Sequence, residues 1–336
     1  MERYEKQILF QDIGEDGQEK LLNKKVVIIG CGALGTVIAN NLVRSGLGYL
    51  RIVDRDYIEL SNLQRQVLFD EDDIEANLPK AIAARDKLEK INSTVEIEAL
   101  VQDVNSKNII DLCKDFDLIL DATDNMETRY LINDVSIKLG VPWVYGGLVA
   151  SSGMVHTIIP NKTPCLRCLF PDIPPIGSVE TCDTVGVLNP ISSVIASIES
   201  MEALKVLTDN KEKVLKGLLY IDLWENEFEY MDVSINDDCK VCSHNEFEHL
   251  NREISESSVL CGKDSIQINP VQKSISMNSI KKKLNNLDIK WKESRFFLKF
   301  SVEDVQFTVF NDGRAILKHV NEVDRAKTLY YKYVGN

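Results

Sequence analysis

Lys25-Val26-Val27-Ile28-Ile29 is a short β-branched run that leads directly into Gly30-Cys31-Gly32-Ala33-Leu34-Gly35. The run predicts a buried strand, and the segment from Ala33 to Arg44 predicts a helix behind it. No other feature of the chain restricts its fold as much as this G-x-G-x-x-G turn. The first glycine allows the tight turn, the second lets backbone approach phosphate, and the third lets helix and strand pack closely. The helix N-terminus then offers N–H groups and a positive dipole to an anion. Asp54 closes the next apolar run, about 20 residues beyond the last glycine, where a carboxylate can hydrogen-bond ribose hydroxyls. Gly30, Gly32, Ala33, Gly35 and Asp54 therefore predict a nucleotide site without saying which nucleotide.

The pattern continues along the chain. Strands are predicted over Tyr49–Val53, Val95–Val101, Phe116–Leu120 and Val141–Val149, with helices over Pro79–Ile91, Ser106–Lys114 and Glu127–Leu139. This alternation implies an α/β fold with a doubly wound, mostly parallel sheet and a crevice at the carboxyl ends of its strands. After Gly147 the texture changes to a strand near Met154–Ile159, a proline-rich exposed loop over 169–190 and an apolar helix from Pro190 to Leu207. Two further strands over Leu218–Val233 read as antiparallel additions. Residues 2–24 read as an N-terminal arm. Residues 1–245 are expected to form one unit, 246–258 a linker, and 259–336 a small α+β domain with a helix near Ser276, a hairpin over 296–310 and a terminal helix. No catalytic cluster is visible in that last piece.

Eight cysteines and a formal net charge of -13 narrow the classes of function. Self-repulsion opposes non-specific binding to nucleic acid or to an anionic membrane. No apolar run reaches the roughly 20 residues a membrane span needs, and the opening residues lack a leader-like apolar stretch, so a cytoplasmic setting is expected. In that setting cysteines serve as metal ligands, nucleophiles or apolar filler rather than as disulfides. Cys165/Cys168 and Cys239/Cys242 are two C-x-x-C pairs, which together supply the four thiolates of a structural Zn²⁺ site. Such a closed site leaves no position open for metal catalysis.

Arg3, Lys6, Asn62, Arg65, Gln66 and Lys80 are polar or basic residues grouped around the glycine turn in sequence, in a chain that is otherwise acidic. Each alone reads as a solvated side chain. As a set with Asp54 they favour a triphosphate, because cations and amide donors stabilise charge spread over phosphoryl oxygens. Asp124, at the end of a predicted strand, is a natural Mg²⁺ ligand or the N-cap of the helix that follows. Cys182 sits in the exposed loop between the cysteine pairs, either inert or a nucleophile. Cys31, Cys113 and Cys261 read as inert, and the four histidines show no ligand-like or triad-like spacing.

Arg3-Tyr4-x-x-Gln7, the Gly30–Gly35 turn, Asp54/Asp56, Ser61-Asn62-Leu63-Gln64-Arg65-Gln66, Pro79-Lys80, Asp121-x-Thr123-Asp124-Asn125 and both cysteine pairs occur in order. Over roughly residues 2–245 this ordered set resembles the ThiF/MoeB/HesA family, relatives of the adenylation domains of ubiquitin-activating enzymes. The resemblance implies a Rossmann-like sheet of the ubiquitin-activating-enzyme type. It also implies ATP-dependent adenylation of the C-terminal Gly-Gly tail of a ubiquitin-fold sulfur carrier, for thiamine or molybdopterin synthesis. On that resemblance, Gly30, Gly32, Ala33, Gly35, Asp54, Asp56, Ser61 and Gln66 would hold the nucleotide. Asn62, Arg65 and Lys80 would contact phosphates, Asp124 would bind Mg²⁺, and Asn125 would join the nucleotide site. Arg3 and Lys6 would act in trans across a homodimer, and Cys182 would join sulfur transfer from a donor such as a cysteine desulfurase or rhodanese-type protein. Lys6 departs from the family's usual arginine, replacing a bidentate fork by a point charge. Three other readings compete: adenylation of a different peptide carboxylate, an NAD-dependent oxidoreductase, and a non-catalytic carrier-binding scaffold. The oxidoreductase leaves Asn62–Gln66, Lys80 and the four cysteines without a role.

Overall fold

Five apolar runs separated by helices become β1 (Lys25–Ile29), β2 (Tyr49–Val53), β3 (Glu96–Leu100), β4 (Leu118–Asp121) and β5 (Trp143–Val149). In the computed structural model, which describes residues 1–173, 181–252, 257–259, 265–269 and 276–335, these five strands lie parallel in the order β3-β2-β1-β4-β5. The sheet continues antiparallel through β6 (Ser152–Ile158), β7 (Leu218–Asp222) and β8 (Glu227–Met231). A parallel strand is buried on both faces, and alternate residues of β1 accordingly enter two cores. Val26 and Ile28 join the helices Ala33–Ser45, Lys80–Ile91 and Asn189–Leu207, whereas Val27 and Ile29 face the helices Ile109–Cys113 and Met126–Leu139.

The register sets the crevice. Ile29 is level with Val53 on β2 and with Asp121 on β4, so Gly30, Asp54 and the loop after Asp121 leave the sheet side by side. Chain order reverses at β1, which makes this edge the topological switch point where ligands bind in such folds. The helix Met126–Leu139 starts from Asn125, whose Oδ1 accepts the Thr128 N–H at 2.9 Å. Asn125, rather than Asp124, is thus the N-cap.

The N-terminal arm is more structured than its sequence suggests, with short helices at Glu5–Ile8 and Gly14–Leu22. Buried Tyr4 anchors it: its hydroxyl accepts from Asn92 Nδ2 at 2.9 Å. The proline-rich 169–190 stretch is not all loop, since Cys182–Val185 is helical and the long helix begins at Asn189; residues 174–180 lie outside the described residues.

The chain divides into two compact units, Met1–Arg252 and Glu253–Asn336. The second is a six-stranded antiparallel sheet of β9 (Ser257–Val259), β10 (Ser265–Ile268), β11 (Trp291–Glu293), β12 (Phe297–Val302), β13 (Val305–Phe310) and β14 (Ala315–Lys318) in the order β11-β12-β13-β14-β10-β9. The hairpin read from sequence is β12–β13, where Phe300 stacks on Phe307 with ring centroids 4.6 Å apart. The helices Met277–Asn286 and Val323–Tyr333 complete a separate core around these rings. Cys261 lies outside the described residues.

Residues 246–252 belong to the first unit, although their polar composition reads as linker. Buried Asp134 accepts the backbone N–H groups of His249 at 2.9 Å and Leu250 at 3.3 Å. Arg252 pairs with Glu127 at 3.1 Å. Burial raises the Asp134 carboxyl to about 6 despite those two N–H donors. An acid raised on folding adds stability below its unfolded value near 3.8, and that stability is lost as pH climbs through about 6. Wild-type unfolding free energy is expected to lose on the order of 2–3 kcal/mol across that window. Asp134→Asn, which keeps an acceptor oxygen, should flatten the loss in urea melts taken from pH 4 to 7.

Candidate active site

The glycine turn is built by close approach. Gly30 has φ +96°, and a Cβ there would collide with the Ala122 carbonyl; a Cβ on Gly35 would collide with the Gly30 carbonyl. Gly32 differs, because a Cβ there would meet only Gln66 Nε2 at 3.8 Å. Its missing side chain opens the mouth of the crevice. The helix Ala33–Ser45 has no side-chain cap at its N-terminus, so its first N–H groups are available to an anion.

Asp54 spends both oxygens on the backbone beside this turn. Oδ2 accepts the Cys31 N–H at 2.6 Å and Oδ1 accepts the Asp56 N–H at 2.7 Å, which fixes the carboxylate while each oxygen keeps capacity for a hydroxyl. Burial raises the Asp54 carboxyl, with the Lys80 charge opposing. Lys80 opens the helix Lys80–Ile91, and its Nζ lies 3.5 Å from Asp56 Oδ2 with the side chain buried. Burial works against the ammonium, but Asp56, Asp54 and Asp124 outweigh it and hold the group above the ordinary lysine range. Lys80 is therefore a fixed cation at every physiological pH.

The Leu60–Asn62 turn carries the polar cluster across the mouth. Asn62 is buried, its Oδ1 accepting the Glu59 N–H at 3.1 Å, and Arg65 Nη1 donates to the Ser61 carbonyl at 2.9 Å. Gln66 is buried beside Gly32, and its Oε1 has no hydrogen-bond partner among the described residues. An orphaned acceptor oxygen beside an open glycine is one that a ligand's hydrogen-bond donor would satisfy.

On the β4 side, Asp124 is exposed and accepts from Asn125 Nδ2 at 3.3 Å. Asp121 is buried and accepts the Thr123 N–H and hydroxyl at 2.9 and 2.7 Å. Arg129 is a site residue that sequence reasoning misses. Its Nε donates to Asp121 at 3.0 Å, and Nη2 donates to the carbonyls of Thr123 at 2.8 Å and Gly146 at 3.0 Å. Burial works against the Arg129 guanidinium, and the Asp121 charge more than offsets it. An arginine following the Thr123-Asp124-Asn125 turn by about one helical turn is the available signal, because its side chain leans back over the helix N-terminus.

The remaining candidates lie apart from this cluster. Arg3 Nη1 donates to the Ile91 carbonyl at 2.8 Å, at the far end of the helix that Lys80 begins. Twelve helical residues put about 17 Å between those ends. Lys6 is solvated, 4.0 Å from Glu5. Cys182 donates from Sγ to the Leu148 carbonyl at 3.1 Å, at the carboxyl end of β5.

Cys165, Cys168, Cys239 and Cys242 converge, with Sγ–Sγ separations of 3.9, 3.6 and 3.5 Å along three edges and every pair within 4.8 Å. Tetrahedral Zn–S bonds of about 2.3 Å require sulfur edges of about 3.8 Å, so the four fit zinc. The Asn236 N–H points at Cys168 Sγ at 3.5 Å, and His156 is wedged between the Gly217 and Pro164 carbonyls at 2.8 Å each. The cluster is compatible with a structural metal.

A glycine turn at the switch point, a fixed lysine among three acids and a closed four-cysteine knuckle together define a nucleotide-binding α/β enzyme. The chain belongs to the ThiF family, whose model matches residues 4–241. It is 41% identical, over 99% of both chains, to the sulfur carrier protein ThiS adenylyltransferase of Bacillus subtilis. It is 36% identical to the sulfur carrier protein adenylyltransferase of Thermus thermophilus, covering 78% of this chain and 97% of that one. The fold is shared with E. coli MccB crystallised with ATP, at TM-score 0.63 and 24% identity over 71% of this chain and 74% of that one. The enzyme is an adenylyltransferase, and its use of ATP follows from the family.

Lys80→Met removes the charge that compensates Asp54 and Asp56. It is expected to weaken ATP binding about tenfold or more, or about 1.4 kcal/mol, in calorimetric titration of a variant that stays folded.

Proposed function

We infer that this enzyme adenylates the C-terminal glycine of a ubiquitin-fold sulfur carrier, ThiS- or MoaD-like, and releases pyrophosphate for thiamine or molybdopterin synthesis. The observation that carries the reading is buried Lys80 beside Asp56 at the mouth of the glycine turn, in a chain whose Bacillus subtilis relative matches it end to end. The carrier's terminal carboxylate attacks the α-phosphorus, and the bond to the β-phosphate oxygen breaks as pyrophosphate leaves. Charge accumulates on phosphoryl oxygens during that displacement. Lys80, Arg65, Asn62 and the uncapped helix N-terminus at Ala33 supply the preorganised donors that meet it. Asp54 holds the ribose hydroxyls with Asp56, Ser61 and Gln66 alongside. Asp124 would hold Mg²⁺, which when bound neutralises phosphate charge.

A Gly-Gly tail suits the crevice because Gly32 keeps its mouth open and a tail without side chains can thread it. The carrier body needs a surface outside the crevice. The β7–β8 edge offers one, with Trp224 73% and Phe228 65% exposed beside half-exposed Tyr230. Arg3 and Lys6 do not reach their own glycine turn, which supports a homodimer in which the arm completes the neighbouring site. Zn²⁺ on Cys165, Cys168, Cys239 and Cys242 holds the end of the adenylation unit and leaves the chemistry to the crevice. Cys182 takes part in the later transfer of sulfur from a desulfurase- or rhodanese-type donor. A reducing cytoplasm suits both sets of thiols, and no helix among the described residues is long and apolar enough to cross a membrane.

Pyrophosphate–ATP exchange with a Gly-Gly-tailed carrier tests the reading; a wild-type enzyme that exchanges with no such carrier refutes it. Asp124→Ala is expected to lower exchange about 10²–10³-fold or more. Cys182→Ala should exchange within about twofold of wild type yet fail to pass sulfur on, since adenylation requires no thiol.

A further inference from the structure

Glu199 has no place in the chemistry described so far, and its surroundings are unusual. It lies midway along the helix Asn189–Leu207, wholly buried, and neither carboxyl oxygen has a hydrogen-bond partner among the described residues. The carboxyl group fills the space where a Cβ of Gly146 would otherwise stand. The other side of Gly146 is taken by Arg129, whose Nη2 donates to the Gly146 carbonyl at 3.0 Å. Two groups that would form a strong ion pair thus flank one glycine of β5 without pairing. Arg129 instead commits Nε to Asp121 and shares the same Nη2 with the Thr123 carbonyl, inside the loop that leads to Asp124.

We propose that Glu199 is a positioning residue of this active site: as an uncharged carboxylic acid it leaves Arg129 on Asp121, Thr123 and Gly146, and Arg129 in turn holds the loop that presents Asp124. An ionised carboxylate with no donor in a dry core costs several kcal/mol, so the neutral form is the one this packing accepts. Burial, and then the Asp121 charge, raise the group well above the usual carboxylate range, and Arg129 opposes them without prevailing. The charged groups facing it are Asp121 from β4 and Arg129 from the helix Met126–Leu139, with the Tyr145 ring of β5 beside them. The helix Ala33–Ser45 and β6, which also pack on this helix, add no charge to its surroundings. When Glu199 ionises, it competes with Asp121 for Arg129, the Thr123 carbonyl is released, and Asp124 loses its fixed position. The mechanism is a bistable choice of partner by one guanidinium.

The proposal rests on Asp124 acting in adenylation, so one of its two tests does not use activity. Infrared difference spectra of wild type against Glu199→Gln at pH 8 should show the carbonyl stretch of a protonated acid in wild type alone; a carboxylate band in its place overturns the proposal. The second test follows kcat for pyrophosphate exchange against pH. Wild type should fall about tenfold on the alkaline side while KM for the carrier stays level, and Glu199→Gln should change less than about twofold over the same range. A filler role would leave the two profiles parallel, and parallel profiles overturn the proposal. Glu199→Met, a second neutral variant of similar volume, replaces Glu199→Gln if the amide fails to fold. Wild type without exchange activity speaks against the adenylation reading, and the infrared result still decides the state of Glu199.

Discussion

A buried ammonium against a pair of carboxylates sets the character of this site. Lys80 and Asp56, 3.5 Å apart, attract one another by about 5 kcal/mol before desolvation, at an effective dielectric of about 20. Removing a charge from water costs several kcal/mol, so the buried Lys80 ammonium depends on its carboxylate partners. Asp54 adds a second carboxylate, itself held by two backbone N–H groups of the glycine turn. The result is a cation whose position is fixed before any substrate arrives. It also explains how a chain of net charge -13 can receive a polyanion. On the proposed reading, binding would draw on the local field of Lys80, Arg65 and one helix terminus, while salt screens the distant acids within about 10 Å.

That cation would be useless without the backbone geometry opposite it. The collisions a Cβ would suffer at Gly30 and Gly35 show that β1, the loop after β4 and the helix Ala33–Ser45 are packed as closely as main chains allow. Close packing aims the helix N-terminus into the crevice, and the level register of Ile29, Val53 and Asp121 brings Gly30, Asp54 and Thr123 out together. Position 146 obeys the same logic from the other face. Glycine there admits the Glu199 carboxyl, and the Gly146 carbonyl steadies Arg129.

Much of this architecture is legible in the amino-acid sequence. Strand and helix periods, the glycine spacing and the acid at Asp54 report local constraints, and these survive folding because each is satisfied by neighbours in sequence. The cysteine pairs are legible for the same reason: two ligands per knuckle are local, and only their convergence is not. Arg129 and Glu199 are not legible. A charged residue in a helix ordinarily faces water, and only the tertiary packing of β4, β5 and two helices shows that these two face inward. The arm misleads too, because Tyr4 and its bond to Asn92 depend on a contact 88 residues away. In the second unit the β12–β13 hairpin is local and visible. The β10–β14 pairing, in contrast, joins residues about fifty apart.

The four-cysteine knuckle is best understood as the continuation of a core that the sheet cannot close by itself. β8 is an edge strand exposed along its whole length, and the chain beyond it returns to the core through Cys239 and Val241. Cys165 and Cys239 lie in the same core as Trp143, Tyr145 and Tyr130, and Asn133 on the helix Met126–Leu139 accepts the Leu166 N–H at 2.8 Å. A metal bound there would fasten residues 239–242 to that helix's packing partners. The helix begins at Asn125, beside Asp124, and carries Arg129 near its start.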